Sequence, residues 1–62
     1  MPMKKTRQID IDIDKAWIRL AHGVQVNIWD IPKIFTECEK AMLGGKSVDD
    51  AVKDCIVKYR QN

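Results

Sequence analysis

The chain has 62 residues, of which 45% are hydrophobic and 32% are charged, and its formal net charge is +2. This length allows one domain, 1–62, and argues against a fold that encloses a substrate, while the hydrophobic content exceeds that of a disordered tail. Since no apolar run approaches the roughly 20 residues of a membrane span and no signal-peptide core is present, we expect a cytoplasmic protein with no membrane partner.

The chain begins with a basic segment, residues 1–6, for which we expect flexibility. The positive charge excess lies toward this end, because residues 24–62 carry six basic and six acidic groups. Lys4, Lys5 and Arg7 form a candidate arm for contact with phosphate groups. Three basic residues at a chain end are, however, more often simply a solubilising terminus.

Residues 7–29 predict a β region of two or three antiparallel strands. Isoleucine alternates with polar residues over positions 8–14, which is the pattern of a half-buried strand. Alternation returns over positions 24–28, after a turn predicted at positions 22–23. Residues 16–21 between them fit a strand or a helix, and a three-strand meander with these residues as its middle strand accounts for the whole region.

The meander also predicts a surface. Trp17 would lie opposite Trp29 on neighbouring strands, flanked by Arg19. Tryptophan is enriched at interface hot spots, so these three residues form a candidate protein interface. A short helix at residues 15–22 is the alternative structure for this segment.

The hydrophobic period changes to that of an amphipathic helix at 31–43, and Gly44 and Gly45 end it. A second helix is predicted at 47–60, with Ser47 as its N-cap. The short connection predicts an αα-hairpin whose apolar stripes are core. The expected fold class is therefore α+β, N-terminal antiparallel strands followed by an αα-hairpin, completed by dimerisation.

The chain lacks the residue clusters of an enzyme, a metal site or a cofactor site, so we expect none of these. Cys38 and Cys55 lie on the apolar helix stripes and are expected to be buried reduced thiols, with a disulfide as the alternative. His22 is the single histidine of the sequence, which leaves too few ligands for a usual structural zinc site. The alternating aspartates Asp10, Asp12 and Asp14 are expected on the solvent-exposed face of a strand. A divalent-cation site is the alternative interpretation of these three carboxylates.

The glycine turn at 44–47 resembles the end of a phosphate-binding P-loop, but it lacks the upstream glycine and the preceding strand. It is better interpreted as a helix end followed by a helix start. Backbone N–H groups beside Lys46 and Ser47 could still receive a phosphate oxygen, although Asp49 and Asp50 in the same turn weaken an anion site.

Residues 24–60 resemble the ribbon-helix-helix DNA-binding proteins. The stretches that carry the resemblance are Gln25-Val26-Asn27-Ile28 and Gly45-Lys46-Ser47-Val48. In that family two chains pair their strands into a ribbon that enters the major groove. The resemblance implies that the outward strand residues Gln25, Asn27 and Trp29 face DNA and that Lys46 and Ser47 contact its backbone, although the indole of Trp29 departs from the usual polar residue.

Two functions follow as hypotheses. The first is a small homodimeric transcriptional repressor that binds duplex DNA through the ribbon and the basic N-terminus. The alternative is a protein-binding inhibitor or antitoxin-like module, phage- or plasmid-encoded, that uses the face of Trp17 and Trp29.

Overall fold

The structure, a computed structural model, describes residues 7–61. Its elements are three α-helices and one 3-10 helix: α1 (Gln8–Leu20), η1 (Ile28–Asp30), α2 (Ile31–Leu43) and α3 (Val48–Tyr59). No strand occurs among these residues. The predicted α+β class is therefore wrong, and the described part of the chain is all-helical.

Helix α1 replaces the first predicted strand. Ile13 and Ala16 are buried, whereas Ile18 on the opposite side is 64% exposed, which is the burial pattern of an amphipathic helix. Residues 8–14 alone fit either period, because isoleucines at 9 and 13 share a face in a strand and in a helix alike. The packing of α1 against α2 and α3 favours the helix over the strand. The alternative helix at 15–22 was nearer to the structure, but it began too late.

The second and third predicted strands are also absent. Residues 24–27 form neither a helix nor a strand, and η1 follows them directly. The cross-strand pairing of Trp17 with Trp29 is wrong for the same reason, because Trp17 lies in α1 and Trp29 in η1. The predicted turn at 22–23 is present, with Gly23 at a φ of 81°, a value that favours glycine.

The hairpin follows its sequence signals closely. Helix α2 has the predicted bounds, with Pro32 in its first turn, and it ends at Gly44. Gly45 adopts a φ of 109° and turns the chain. Helix α3 begins after Ser47, whose Oγ accepts a hydrogen bond from the Asp50 N–H at 3.2 Å.

We expect Ser47→Ala to lower the free energy of unfolding by about 1 kcal/mol, because an N–H at the start of α3 loses its acceptor. Ser47→Asp should retain most of the stability, since its carboxylate also caps the helix. Urea unfolding followed by circular dichroism measures both. Equal losses in the two variants would contradict the role of Ser47 as a cap.

The core is formed where the three helices meet. Helix α1 contributes Ile13 and Ala16 to it, in the place that the sequence assigned to a sheet. The hairpin supplies the remaining buried members of the cluster: Ile34, Cys38, Ala51, Val52 and Cys55. Its apolar stripes are therefore core over much of their length, as predicted. None of the helices described in residues 7–61 has the length and apolar content needed to cross a membrane.

Candidate functional site

An apolar groove lies between α1 and α2. Its volume is about 130 Å³. Helix α1 contributes one carboxylate and one indole to its walls, the extended segment after α1 contributes a valine, and the first half of α2 contributes the rest. The lining residues are Asp14, Trp17, Val26, Ile31, Ile34 and Phe35. Five of these six side chains are apolar.

A run of exposed apolar side chains adjoins the groove. Ile28 is 74% exposed, Trp29 is 69% exposed and Ile31 is 41% exposed. Ile28 and Trp29 lie in the chain between the groove residues Val26 and Ile31, and the 3-10 turn holds this run at the start of α2. We call the groove together with Ile28 and Trp29 the apolar face.

Both helices that form the groove carry acidic side chains. Asp10 and Asp14 share one face of α1 by their spacing of four residues, and Glu39 lies four residues beyond Phe35 on α2. Arg7 donates from Nε to Asp10 at 3.0 Å and from Nη1 to Glu39 at 2.9 Å, and these bonds raise the pKa of Arg7. The exposed carboxylate of Asp14 has no ion-pair partner within residues 7–61.

The residues predicted to face DNA are involved in contacts within the chain. The backbone carbonyl of Gln25 accepts a hydrogen bond from the backbone N–H of Gln61 at 2.8 Å, and the side-chain oxygen of Asn27 accepts one from the side-chain amide of Gln61. Gln25 is exposed and Asn27 is half-buried. The amide of Asn27 is thus partly used at the end of α3.

The residues predicted to contact the DNA backbone lie at a different place in the structure. Lys46 forms an ion pair with Asp54, and the Ser47 hydroxyl caps α3. Helix α3 has 12 residues and is about 18 Å long, with this turn at its start and Gln61 just beyond its end. The two parts of the predicted DNA surface are therefore at opposite ends of α3. Lys4 and Lys5 lie outside the described residues.

The residues predicted for a protein interface are divided. Trp17 lines the groove, and Trp29 is exposed beside it. Arg19 forms an ion pair with Asp49 at the start of α3, so it is held against the third helix and not beside the tryptophans. The sequence interpretation assigned Ile31 and Phe35 wholly to the core and so missed them as groove residues.

The aspartates of α1 do not form the ladder that a strand would have presented. Asp10 binds Arg7, and Asp12 accepts a hydrogen bond from the Gln8 side chain at 3.0 Å. Within residues 7–61 there is no cluster of three or more His, Cys, Asp or Glu side chains placed to hold a metal ion. Asp10 and Asp12 therefore form local hydrogen bonds, and Asp14 lies on the wall of the groove.

The two cysteines are buried free thiols in the core, as predicted, and their Sγ atoms are 3.2 Å apart. Burial raises the pKa of Cys38 to about 12 and also raises the pKa of Cys55. Both are therefore protonated near neutral pH and weak as nucleophiles. Their contact joins the middle of α2 to the middle of α3.

Comparison of the chain with protein-family models, with curated proteins and with solved structures finds no match. The resemblance to ribbon-helix-helix proteins therefore depends on short sequence stretches, and the strand that it implies is absent from residues 7–61.

Proposed function

We propose that the chain is a protein-binding module whose apolar face receives an apolar segment of another protein. The observation that carries this proposal is the groove beside Ile28 and Trp29, an apolar surface left exposed next to a small core. Isolated exposed apolar residues are ordinary, but a contiguous set around a concave site is typical of interaction surfaces. Tryptophan is a common anchor of such surfaces.

The size of the groove favours a side chain as its occupant. Pockets for small-molecule ligands and cofactors usually have volumes of about 300–1,000 Å³. An apolar cavity of about 150 Å³ is large enough for benzene. The groove, at about 130 Å³, therefore suits one aliphatic or aromatic side chain with its neighbours lying on Ile28 and Trp29.

Charge favours a protein partner over duplex DNA. Residues 7–61 carry nine basic and nine acidic side chains, so Lys4 and Lys5 account for the whole formal excess. Two of the cations predicted to meet phosphate, Arg7 and Lys46, already form ion pairs. DNA binding remains the alternative, and a steep loss of duplex affinity with rising salt would support it. An inhibitor or antitoxin-like module is the kind of protein that the apolar face suits.

A displayed library of random peptides of about 12 residues, panned on the full chain, tests the proposal without a known partner. We expect enrichment of a consensus with one large apolar anchor. The synthetic consensus peptide should bind Ile31→Ala and Trp29→Ala at least about tenfold more weakly than the unaltered chain, measured by fluorescence anisotropy.

Leu43→Ala is the matched control, because Leu43 is 79% exposed at the far end of α2 and does not line the groove. It removes a similar apolar side chain from another surface and should leave peptide affinity unchanged. The proposal is overturned if no consensus emerges, or if Ile31→Ala and Leu43→Ala bind the consensus peptide equally well.

A further inference from the structure

The walls of the groove carry unbalanced negative charge. Among residues 7–61, Asp14 is the only charged residue that lines the groove. Beyond it, Arg7 is shared between Asp10 and Glu39, so this group of four side chains has three carboxylates and one guanidinium. Such a distribution attracts a positively charged partner and repels an acidic one.

We propose that the partner segment is basic as well as apolar: one apolar side chain enters the groove, and a neighbouring lysine or arginine forms an ion pair with Asp14. This inference rests on the proposed function and adds the charge of the partner to it. The carboxylate of Asp14 is exposed and has no ion-pair partner within residues 7–61, so binding breaks no existing pair that the structure describes there. An apolar anchor with an adjacent charge pair also fixes the register of a bound segment.

Lys15 and Lys33, both in the described part of the chain, form no ion pair with Asp14. Lys15 follows Asp14 in α1 and is therefore rotated by about 100° around the helix. Lys33, in the first turn of α2, lies 3.9 Å from Asp30 and lines a separate cleft with Pro32 and Tyr59. Neither lysine lines the apolar groove.

The same displayed library, panned separately on the unaltered chain and on Asp14→Lys, tests the charge of the partner. We expect lysine or arginine beside the apolar anchor with the unaltered chain and aspartate or glutamate with Asp14→Lys. In direct titration, Asp14→Lys should weaken binding of the basic consensus peptide by at least about tenfold, and rising salt should reduce the difference.

Asp12→Lys is the matched control, since it makes the same charge change in the same helix about 200° away from Asp14. It should leave the preference for basic peptides in place. Circular dichroism checks that both variants remain helical. An apolar consensus without charge preference, or a basic preference that Asp14→Lys leaves unchanged, overturns this inference while the proposed function stands.

Two other outcomes are decisive. If neither bait yields a consensus, the proposed function and the inference fall together. The apolar face could also be covered by a second copy of the chain, and sedimentation equilibrium of the unaltered chain would detect such a dimer. A dimer that Ile31→Ala dissociates and Leu43→Ala does not would show that the chain itself covers the face, and it would overturn the inference of a basic partner segment.

Discussion

Ile13→Ala is expected to lower the free energy of unfolding by about 2–5 kcal/mol, whereas Ile18→Ala should lower it by less than about 0.5 kcal/mol. Both changes remove the same atoms from α1. Ile13 is fully buried in the core, and Ile18 is 64% exposed. The difference arises because only the first substitution leaves a cavity between α1 and the hairpin.

Alanine substitutions in this segment also distinguish the observed helix from the predicted strand. A strand would place Ile11 and Ile13 on one face, so alanine at either position would cost a similar amount. In α1, Ile11 is only half-buried and lies outside the buried core cluster. We therefore expect a smaller loss for Ile11→Ala than for Ile13→Ala.

Urea unfolding followed by far-ultraviolet circular dichroism gives these differences. A chain of this size has a total stability of roughly 3–9 kcal/mol, so the loss expected for Ile13→Ala is comparable to the whole of it. Ile13→Val, with an expected loss of about 0.5–1.5 kcal/mol, keeps the comparison measurable. Equal losses at positions 13 and 18 would contradict the packing of α1.

The hairpin was predictable because its signals are local. The apolar spacing over 31–43, the glycines at 44 and 45 and the serine at 47 each determine a helix or its end within a few residues. No distant contact is needed to interpret them. The bounds of α2 follow from such signals alone.

Helix α1 was not predictable in the same way. Its first seven residues fit both periods, and β-branched isoleucine favours a strand. The helical period becomes distinct only when Ala16 and Leu20 are included with Ile9 and Ile13. The choice between the two structures depends on burial against α2 and α3, which is a tertiary effect that overrides local preference.

The candidate site was predictable only in part. Trp17 and Trp29 were recognised as surface residues, but the sheet that was to display them is absent. The groove exists because α1 packs beside the start of α2, so its other walls, such as Ile31 and Phe35, have no signal of their own in the sequence. The same packing places the carboxylate of Asp14 on the wall of the groove, which the sequence alone does not indicate.

Oxidation of Cys38 and Cys55 to a disulfide is expected to raise the free energy of unfolding by about 3 kcal/mol, since it closes a loop between residues 17 positions apart. The Sγ atoms are 3.2 Å apart, so they must approach by about 1 Å to reach bonding distance. The link would join α2 to α3 through the core.

Oxidised glutathione supplies the two oxidising equivalents. Cys55 reacts first, because it is 5% exposed and lines a surface cleft, whereas Cys38 is fully buried. Its thiolate attacks the glutathione disulfide and releases one reduced glutathione. The Cys38 thiolate then attacks the Cys55 sulfur of the mixed disulfide and releases the second, so two protein thiols are oxidised and one glutathione disulfide is reduced.

The rate of this reaction should depend steeply on pH. Burial raises the pKa of both thiols, that of Cys38 to about 12, so the reactive thiolate is scarce at neutral pH. Below the raised pKa, each unit of pH increases the thiolate fraction about tenfold. Oxidation should therefore be slow near pH 7 and markedly faster near pH 9, where the thiolates are more abundant.

Titration of free thiols in denaturant follows the oxidation, and urea unfolding at a common pH measures the gain in stability. Cys38→Ala is the control, because it can form only the mixed disulfide at Cys55 and should gain no such stability. Two thiols that stay titratable at high pH while the helices persist would contradict the predicted reaction. A disulfide that forms without raising the urea midpoint would show that the core strain it introduces offsets the entropy lost by the unfolded chain.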